Sequence, residues 1–150
     1  MDAIDRKILA ELQVDGRLSI TDLAARVQLS VSPCHRRLRD LERSGAIQGY
    51  RAVLDRAALG LGFEAVVFIS MQQADRATIA AFEDAVADVP NVIEAQRLFG
   101  DPDYLLRVVS KDLPTFQQLL DDRIASLPGV QRTRSTMVMK HVVHDRPIPA

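Results

Sequence analysis

Residues 66–92 and 104–130 are two versions of one pattern, offset by 38 positions. Val89-Pro90-Asn91-Val92 recurs as Leu127-Pro128-Gly129-Val130, Phe82 maps onto Leu120, and Val86 onto Ile124. Val66 and Phe68 map onto Tyr104 and Leu106. Each copy reads strand, helix, strand. Alternating apolar residues place strands at 63–72, 92–99, 104–110 and 130–143, and helical spacing places helices at 76–88 and 113–126. Ile79, Phe82 and Val86 form one helical stripe; Phe116, Leu119, Leu120, Ile124 and Leu127 form the other. A duplicated unit of this kind predicts a ferredoxin-like βαββαβ fold. Its helices cover one face of the sheet. The opposite face carries Val66 and Phe68, so a second copy of the sheet is expected to cover it and the chain is expected to be at least a dimer.

The N-terminal third has a different pattern, three helices followed by a strand or wing. Ile4, Ile8, Leu9 and Leu12 follow helical spacing, with Asp2 as a cap and Asp15-Gly16 as a stop. Ser19-Ile20-Thr21-Asp22 resembles a capping box with Asp in place of Glu, and Ile20, Leu23, Ala24 and Val27 form the stripe behind it. A third helix starts at Ser30 or Ser32; with Ser32 as the cap, Pro33 would be its first residue. Gly45 ends it. Residues 46–54 alternate weakly and read as a strand or wing. The expected division is a winged helix-turn-helix at 1–54, a linker at 55–62 ending in two glycines, and the βαββαβ domain at 63–150, an α+β chain overall.

Composition excludes several classes. Hydrophobic residues are 47% and charged residues 26%, the values of a globular chain and not of a disordered one. The single cysteine excludes an internal disulfide and points to a reducing compartment. The acidic start Met1-Asp2-Ala3-Ile4-Asp5 is no signal peptide. The longest apolar run, Ala65 to Ile69, is too short for a bilayer, so no membrane partner and a cytoplasmic location are expected. Net charge is −1, but residues 1–54 hold nine Lys/Arg against seven Asp/Glu, and the remainder is acidic. That asymmetry directs attention to the helix-turn-helix.

The second helix of such a motif is the one that reads DNA. On it Cys34, Leu38 and Leu41 face inward, while Ser32, Arg36, Arg39 and Arg43 line the opposite face. A planar guanidinium can bond guanine O6 and N7, or a phosphate, with two hydrogen bonds. The same stripe alone would be an ordinary solvated helix face, with Asp40 and Glu42 as partners; the helix-turn-helix context turns it into a candidate interface with double-stranded DNA. His35 lies beside the stripe. Arg37 lies at the edge of the core face, where it either clamps a phosphate or packs against the domain. Cys34 reads as a small core residue.

A second candidate site is Gly100-Asp101-Pro102-Asp103-Tyr104, between the second and third strands. Gly-Asp-Pro makes a tight turn on any account. A carboxylate there can also pair with the ammonium of a small ligand, and backbone N–H groups near Gly100 with its carboxylate. Thr133 and Ser135, alternating on one face of the last strand, can add hydroxyls. Metal and catalytic signals are poor. His141 and His144 would fall on opposite faces of a strand with no second pair of ligands, and no phosphate loop or catalytic triad is present. No cofactor, no metal and no enzymatic activity are expected.

The chain resembles the Lrp/AsnC transcriptional regulators, the leucine-responsive and asparagine-operon type also called feast/famine regulators. The matching stretches are Asp2 to Leu12, Asp15-Gly16-Arg17, Leu23-Ala24, Leu29-Ser30, Ser32 to Leu38, Leu41-Glu42 and Gly45 to Tyr50. They continue through Gly100 to Leu106, Leu127 to Val130, Thr133-Arg134-Ser135 and Val138-Met139-Lys140. The resemblance implies a winged helix-turn-helix joined to a ligand-sensing domain. It implies sheet-to-sheet dimers that often assemble into octamers, and an amino acid or related effector bound between sensing domains. By position it assigns the effector loop to Gly100, Asp101, Pro102, Asp103 and Tyr104, and the hydroxyl-bearing strand to Thr133 and Ser135, with Thr136 at a more variable place. Two other functions compete: an effector-independent, nucleoid-like architectural protein, and an enzyme, because some haem-pathway decarboxylases resemble the same two-part fold. The arginine stripe favours DNA over a tetrapyrrole.

Overall fold

The computed structural model describes residues 1–149. The chain forms two compact units, Met1–Val53 together with the segment from Val142 onward, and Leu54–His141.

In the first unit, helix α1 spans Ala3–Val14, α2 Ile20–Arg26 and α3 Val31–Arg43. Asp2 caps α1 in a full capping box: its carboxylate accepts from the amides of Ile4 and Asp5, and the Asp5 carboxylate accepts from the Asp2 amide. Ser19 caps α2, accepting from the Asp22 amide. Ser30, not Ser32, is the cap position of α3, so Pro33 falls at the third helical residue. Its missing N–H is still one the first turn could not have paired. The three helices enclose Ile8, Leu23, Ala24, Val27, Cys34 and Leu41. Residues 46–54 form no strand. Among the described residues no strand pairs with them, so the segment has no ladder to join. The wing is an extended excursion held by Tyr50, whose hydroxyl bonds the Glu42 carboxylate at 3.1 Å.

The second unit is a four-stranded antiparallel sheet, β1 Phe63–Met71, β2 Val92–Arg97, β3 Tyr104–Ser110 and β4 Val130–Met137, in the order β2-β3-β1-β4. Helix α4 spans Arg76–Ala87 and α5 Leu113–Leu119, the latter running on into a π-helical turn at Leu120–Ile124. The repeat is visible in the caps. Asp75 accepts from the amide and hydroxyl of Thr78, and Asp112 does the same for Thr115. Ala65, Val67, Ile69, Leu106 and Val108 meet Phe82, Val86, Phe116 and Ile124 in a dry core. The strands end earlier than the sequence suggests: β4 stops at Met137, so His141 and His144 lie beyond it and not on a strand.

The two compact units divide the chain differently from the expected domains. Arg56 to Gly60 form a tight turn closed by bonds from the Leu59 and Leu61 amides to the Arg56 carbonyl, and the turn belongs to the second unit. The segment after His141, expected in the βαββαβ domain, belongs to the first unit. There the Gln13 side chain accepts from the Ile148 amide at 2.7 Å and donates to its carbonyl at 3.0 Å. No low-complexity or apolar signal marks that pairing in the sequence.

On the face opposite the helices, Val66, Phe68 and Leu105 stay half-exposed. The Arg134 guanidinium covers the Phe68 ring at 4.9 Å. At one end of this face Glu64 is buried, 8% exposed. Burial pushes its carboxyl upward. Bonds from His141, Arg107 and Arg56 outweigh that and hold it below the ordinary range.

Gly129 is the tightest point of the repeat. At φ +72°, a Cβ there would lie 2.3 Å from Thr78 Cγ2 and 2.9 Å from Met71 Cε. Gly45, at φ +76°, has nothing within 4 Å of its Cβ position. Gly129→Ala should therefore lose about 2–4 kcal/mol, the left-handed backbone cost plus overpacking. Gly45→Ala should lose only the backbone part, about 1–2 kcal/mol. Urea melts of the two variants check this; equal losses would contradict it.

Candidate nucleic-acid interface and effector loop

The turn between α2 and α3 sets the angle at which α3 is presented. It is a complete Schellman closure: the Leu29 amide bonds the Ala24 carbonyl at 2.9 Å and the Gln28 amide bonds the Ala25 carbonyl at 3.3 Å. The left-handed position, usually glycine, is Gln28 at φ +59°. Leu29 then turns into the helical core. Cys34 is fully buried beneath α3, and burial pushes its thiol up, away from a reactive thiolate.

With Cys34 and Leu41 inward, Ser32, His35, Arg36, Arg39 and Arg43 are all exposed. Arg43 forms a surface pair with Asp40 at 2.9 Å. Ser32, His35, Arg36 and Arg39 have no side-chain hydrogen bond or ion pair among the described residues. Arg37, which the sequence leaves open between a phosphate clamp and packing against the domain, has partners inside the unit. Its Nη1 donates to Asp2 at 2.7 Å and Asp5 at 2.8 Å, tying α3 to the cap of α1. Both carboxyls sit below the ordinary range: each gains most from the other's backbone N–H and next from Arg37. The charge of Arg37 is thus neutralised inside the unit.

The effector candidates divide. Gly100 to Asp103 lie in the β2–β3 turn, with Gly100 at a positive φ of +147° and a cis Asp101–Pro102 bond. Asp103 is occupied: its Oδ2 accepts from the Met71 amide at 2.7 Å, and its own amide bonds the Ile69 carbonyl at 2.9 Å. Asp101 is exposed, with no hydrogen bond or ion pair among the described residues, so it is the more available anion. Tyr104 is not on the loop surface. It is 3% exposed, its ring lies 4.5 Å from that of Phe82, and its hydroxyl donates to Glu83 at 2.7 Å. Burial and that bond push the phenol up to about 12.

Thr133 and Ser135 stand opposite Ile69 and Val67 and share the helix-covered face; Thr136 stands opposite Val66 on the other face. Ile69 in turn stands opposite Tyr104. The turn and the hydroxyls are thus at the same end of the sheet but separated by β1, about 10 Å apart across two strand spacings. One chain does not bring them together. Among the described residues, no group of three His, Cys, Asp or Glu side chains is placed to hold a metal ion, and no helix is long and apolar enough to cross a membrane.

An arginine face presented by a helix-turn-helix, on a chain whose other unit is a separate βαββαβ domain, defines a DNA-binding transcription regulator with a ligand-binding module. Comparison with known proteins agrees. Residues 1–48 match the model for winged helix-turn-helix DNA-binding domains, and residues 64–148 that for the Lrp/AsnC ligand binding domain. The chain is 41% identical to the Bkd operon transcriptional regulator of Pseudomonas aeruginosa, covering 95% of this chain and 94% of that one. It is 40% identical to the leucine-responsive regulatory protein of Escherichia coli K12, over 95% and 87%. A crystal structure of a Neisseria meningitidis transcriptional regulator in complex with L-Met superposes with a TM-score of 0.94 at 36% identity, covering 99% and 96%. The chain belongs to the Lrp/AsnC family of transcriptional regulators. These relatives are transcriptional regulators.

The geometry separates Arg37 from its neighbours experimentally. A carboxyl held low in the folded state contributes stability above its unfolded pKa, and that stability is lost as pH falls through the folded value. Arg37→Ala should lower stability at neutral pH and weaken its loss as pH falls through and below the ordinary carboxylate range, because Asp2 and Asp5 are held low partly by Arg37. It should leave the salt dependence of DNA binding unchanged. Arg39→Ala should keep the stability profile; if Arg39 meets a phosphate, the salt slope drops by about 1. Acid titration followed by circular dichroism, with salt-dependent fluorescence anisotropy on DNA, distinguishes the two.

Proposed function

We propose that this regulator reads DNA through Ser32, His35, Arg36, Arg39 and Arg43, and that the effector it answers to is an amino acid. The supporting observation is the pair of exposed arginines, Arg36 and Arg39, that have no partner within the described chain while Arg37 beside them is consumed. A guanidinium with its donors unspent is the group that gains most from a base edge or phosphate. DNA binding is assigned to residues 1–54 and sensing to the βαββαβ unit.

The effector reading draws on the L-Met complex of the Neisseria relative and on the leucine-responsive relatives. Asp101 is the anion for the ammonium, turn N–H groups near Gly100 receive the carboxylate, and Asp103 holds the turn in shape. Thr133, Ser135 and Thr136 contribute from a neighbouring chain, since one chain keeps them a strand away. The assembly is a homodimer through the half-exposed sheet face, built up to an octamer, acting in the cytoplasm. A ligand bridging chains favours the assembled state through its differential affinity, which couples effector to assembly.

A thermal-shift screen of the full chain against the twenty amino acids tests the reading. A true effector at 100 times its Kd should stabilise the folded state by about 2.7 kcal/mol, and Asp101→Ala should abolish the shift while DNA affinity persists. If none of the twenty raises the midpoint, the effector-independent architectural reading replaces this one.

A further inference from the structure

The order β2-β3-β1-β4 makes β2 an edge of the sheet, paired on one side only. The Leu98 amide bonds the Asp103 carbonyl at 2.8 Å, so Leu98, Gln96 and Glu94 turn their backbone groups toward β3. The N–H and C=O groups of Ala95 and Arg97 therefore point outward, and no strand meets them among the described residues. Such a row is a template for another strand. Between this edge and α4 runs a groove of about 430 Å³. Val86, Ala87, Val92, Ile93 and Ala95 line its apolar part, and Glu83 and Arg97 stand at the other end. Ile93 sits in the bulge of β2, has no partner on β3 and is exposed. Just past the far end of the strand, Phe99 is fully exposed. Its hairpin is braced by the Leu98 bond and by the Asp103 amide on the Ile69 carbonyl at 2.9 Å.

Edge, groove and ring fit one partner, a second copy of this chain. We propose that the β2 edges of two copies pair antiparallel about a two-fold axis at Gln96, each placing Phe99 in the groove of the other. Three requirements select the register. Residues opposite one another must share a face, so paired residue numbers sum to an even value. Outward-facing residues must oppose outward-facing ones, as Ala95 of one copy and Arg97 of the other then do. The ring must also reach the groove. With the axis at Gln96, Phe99 stands opposite Ile93 at the apolar end. An axis at Ala95 would carry Phe99 past the groove to Asn91, and one at Arg97 would oppose two guanidiniums, which repel. In the selected register Arg97 passes over Ala95, a small side chain, toward the end of the groove that carries Glu83. The pair that Arg97 makes with Glu83 of its own chain is 3.9 Å long, wide for a hydrogen-bonded ion pair, and leaves guanidinium donors for the second carboxylate.

This contact rests on the assembly reading above and deepens it. A two-fold contact through the sheet face closes at two copies, and a ring of dimers needs a second two-fold contact, which this edge supplies. A short edge holds weakly alone, so it builds on face dimers, where each particle offers two edges at once.

Disulfide trapping on the full chain is the direct test. About a two-fold axis at Gln96, the two copies of that residue form the close, non-hydrogen-bonded kind of pair, with Cα atoms about 4.5 Å apart and within disulfide reach. Under mild oxidation Gln96→Cys should cross-link to a second copy about tenfold faster, or more, than Gln131→Cys, an exposed position on the opposite edge strand β4. The native Cys34 is fully buried and stays out of the reaction. Sedimentation velocity without oxidation gives the second readout. Wild type should exceed a dimer at micromolar concentration, and Phe99→Asp should stop at the dimer with its helical circular dichroism unchanged. Equal cross-linking at positions 96 and 131, or linkage in a mixture of the two variants between 96 of one copy and 131 of the other, overturns the pairing. So does a Phe99→Asp variant that assembles as wild type does. If wild type stops at a dimer that Phe68→Lys dissociates and Phe99→Asp does not, the edge contact falls and the sheet-face dimer stands. The reverse result keeps the edge contact and overturns the sheet-face dimer, and a monomeric wild type overturns both.

Discussion

A sheet with both helices on one face is half of a two-layer structure. Phe82, Val86, Phe116 and Ile124 seal one side of the four strands. The other side keeps Val66, Phe68 and Leu105 half in water, with Arg134 laid over the Phe68 ring as partial cover. Fully burying such side chains is worth about 1.5–3 kcal/mol each, so a second copy of the face has a clear gain to offer. The proposed assembly follows from this imbalance. So does the proposed effector site, because the β2–β3 turn and the hydroxyls of β4 are split by β1 within one chain and need another chain to complete them.

The same economy governs α3. One helix serves three surfaces at once. Cys34 and Leu41 face the core, Arg37 is spent on the Asp2 and Asp5 cap of α1, and Arg36 and Arg39 have no side-chain partner among the described residues. Consecutive arginines therefore do different work. The ionic tie of Arg37 holds α3 against α1, and the Schellman turn at Gln28 sets its entry, so the free arginines are presented by a braced helix and not a floppy one.

Much of this was legible in the chain. The repeat centred on Val89-Pro90-Asn91-Val92 and Leu127-Pro128-Gly129-Val130 carried the βαββαβ topology, because a duplicated strand-helix-strand has few ways to close. Caps at Asp2 and Ser19, the glycine at 45 and the inward set on α3 carried the helix-turn-helix. What escaped were features decided by contacts distant in sequence. Residues 46–54 alternate like a strand but find no strand to pair with among the described residues. Tyr104 falls by sequence where the Gly100–Tyr104 loop meets the third strand; that its ring enters the core and its hydroxyl bonds Glu83 is decided by distant contacts. Asp103 and Asp101 are equivalent in sequence; the nearby Met71 amide makes one structural, while the other has no partner among the described residues. No local signal announces that Gln13 pairs with Ile148, or that Arg56 and His141 meet on Glu64.

The demand of the half-covered sheet is tested most directly by sedimentation equilibrium of the wild-type chain and Phe68→Lys at micromolar concentration. A charge placed in the middle of the open face cannot be buried against its own copy without a large desolvation cost. Wild type should sediment as a dimer or a larger assembly of dimers throughout, and Phe68→Lys should shift toward monomer while keeping its helical circular dichroism. A wild-type chain that is monomeric at micromolar concentration, or a Phe68→Lys variant that assembles as wild type does, would contradict the account.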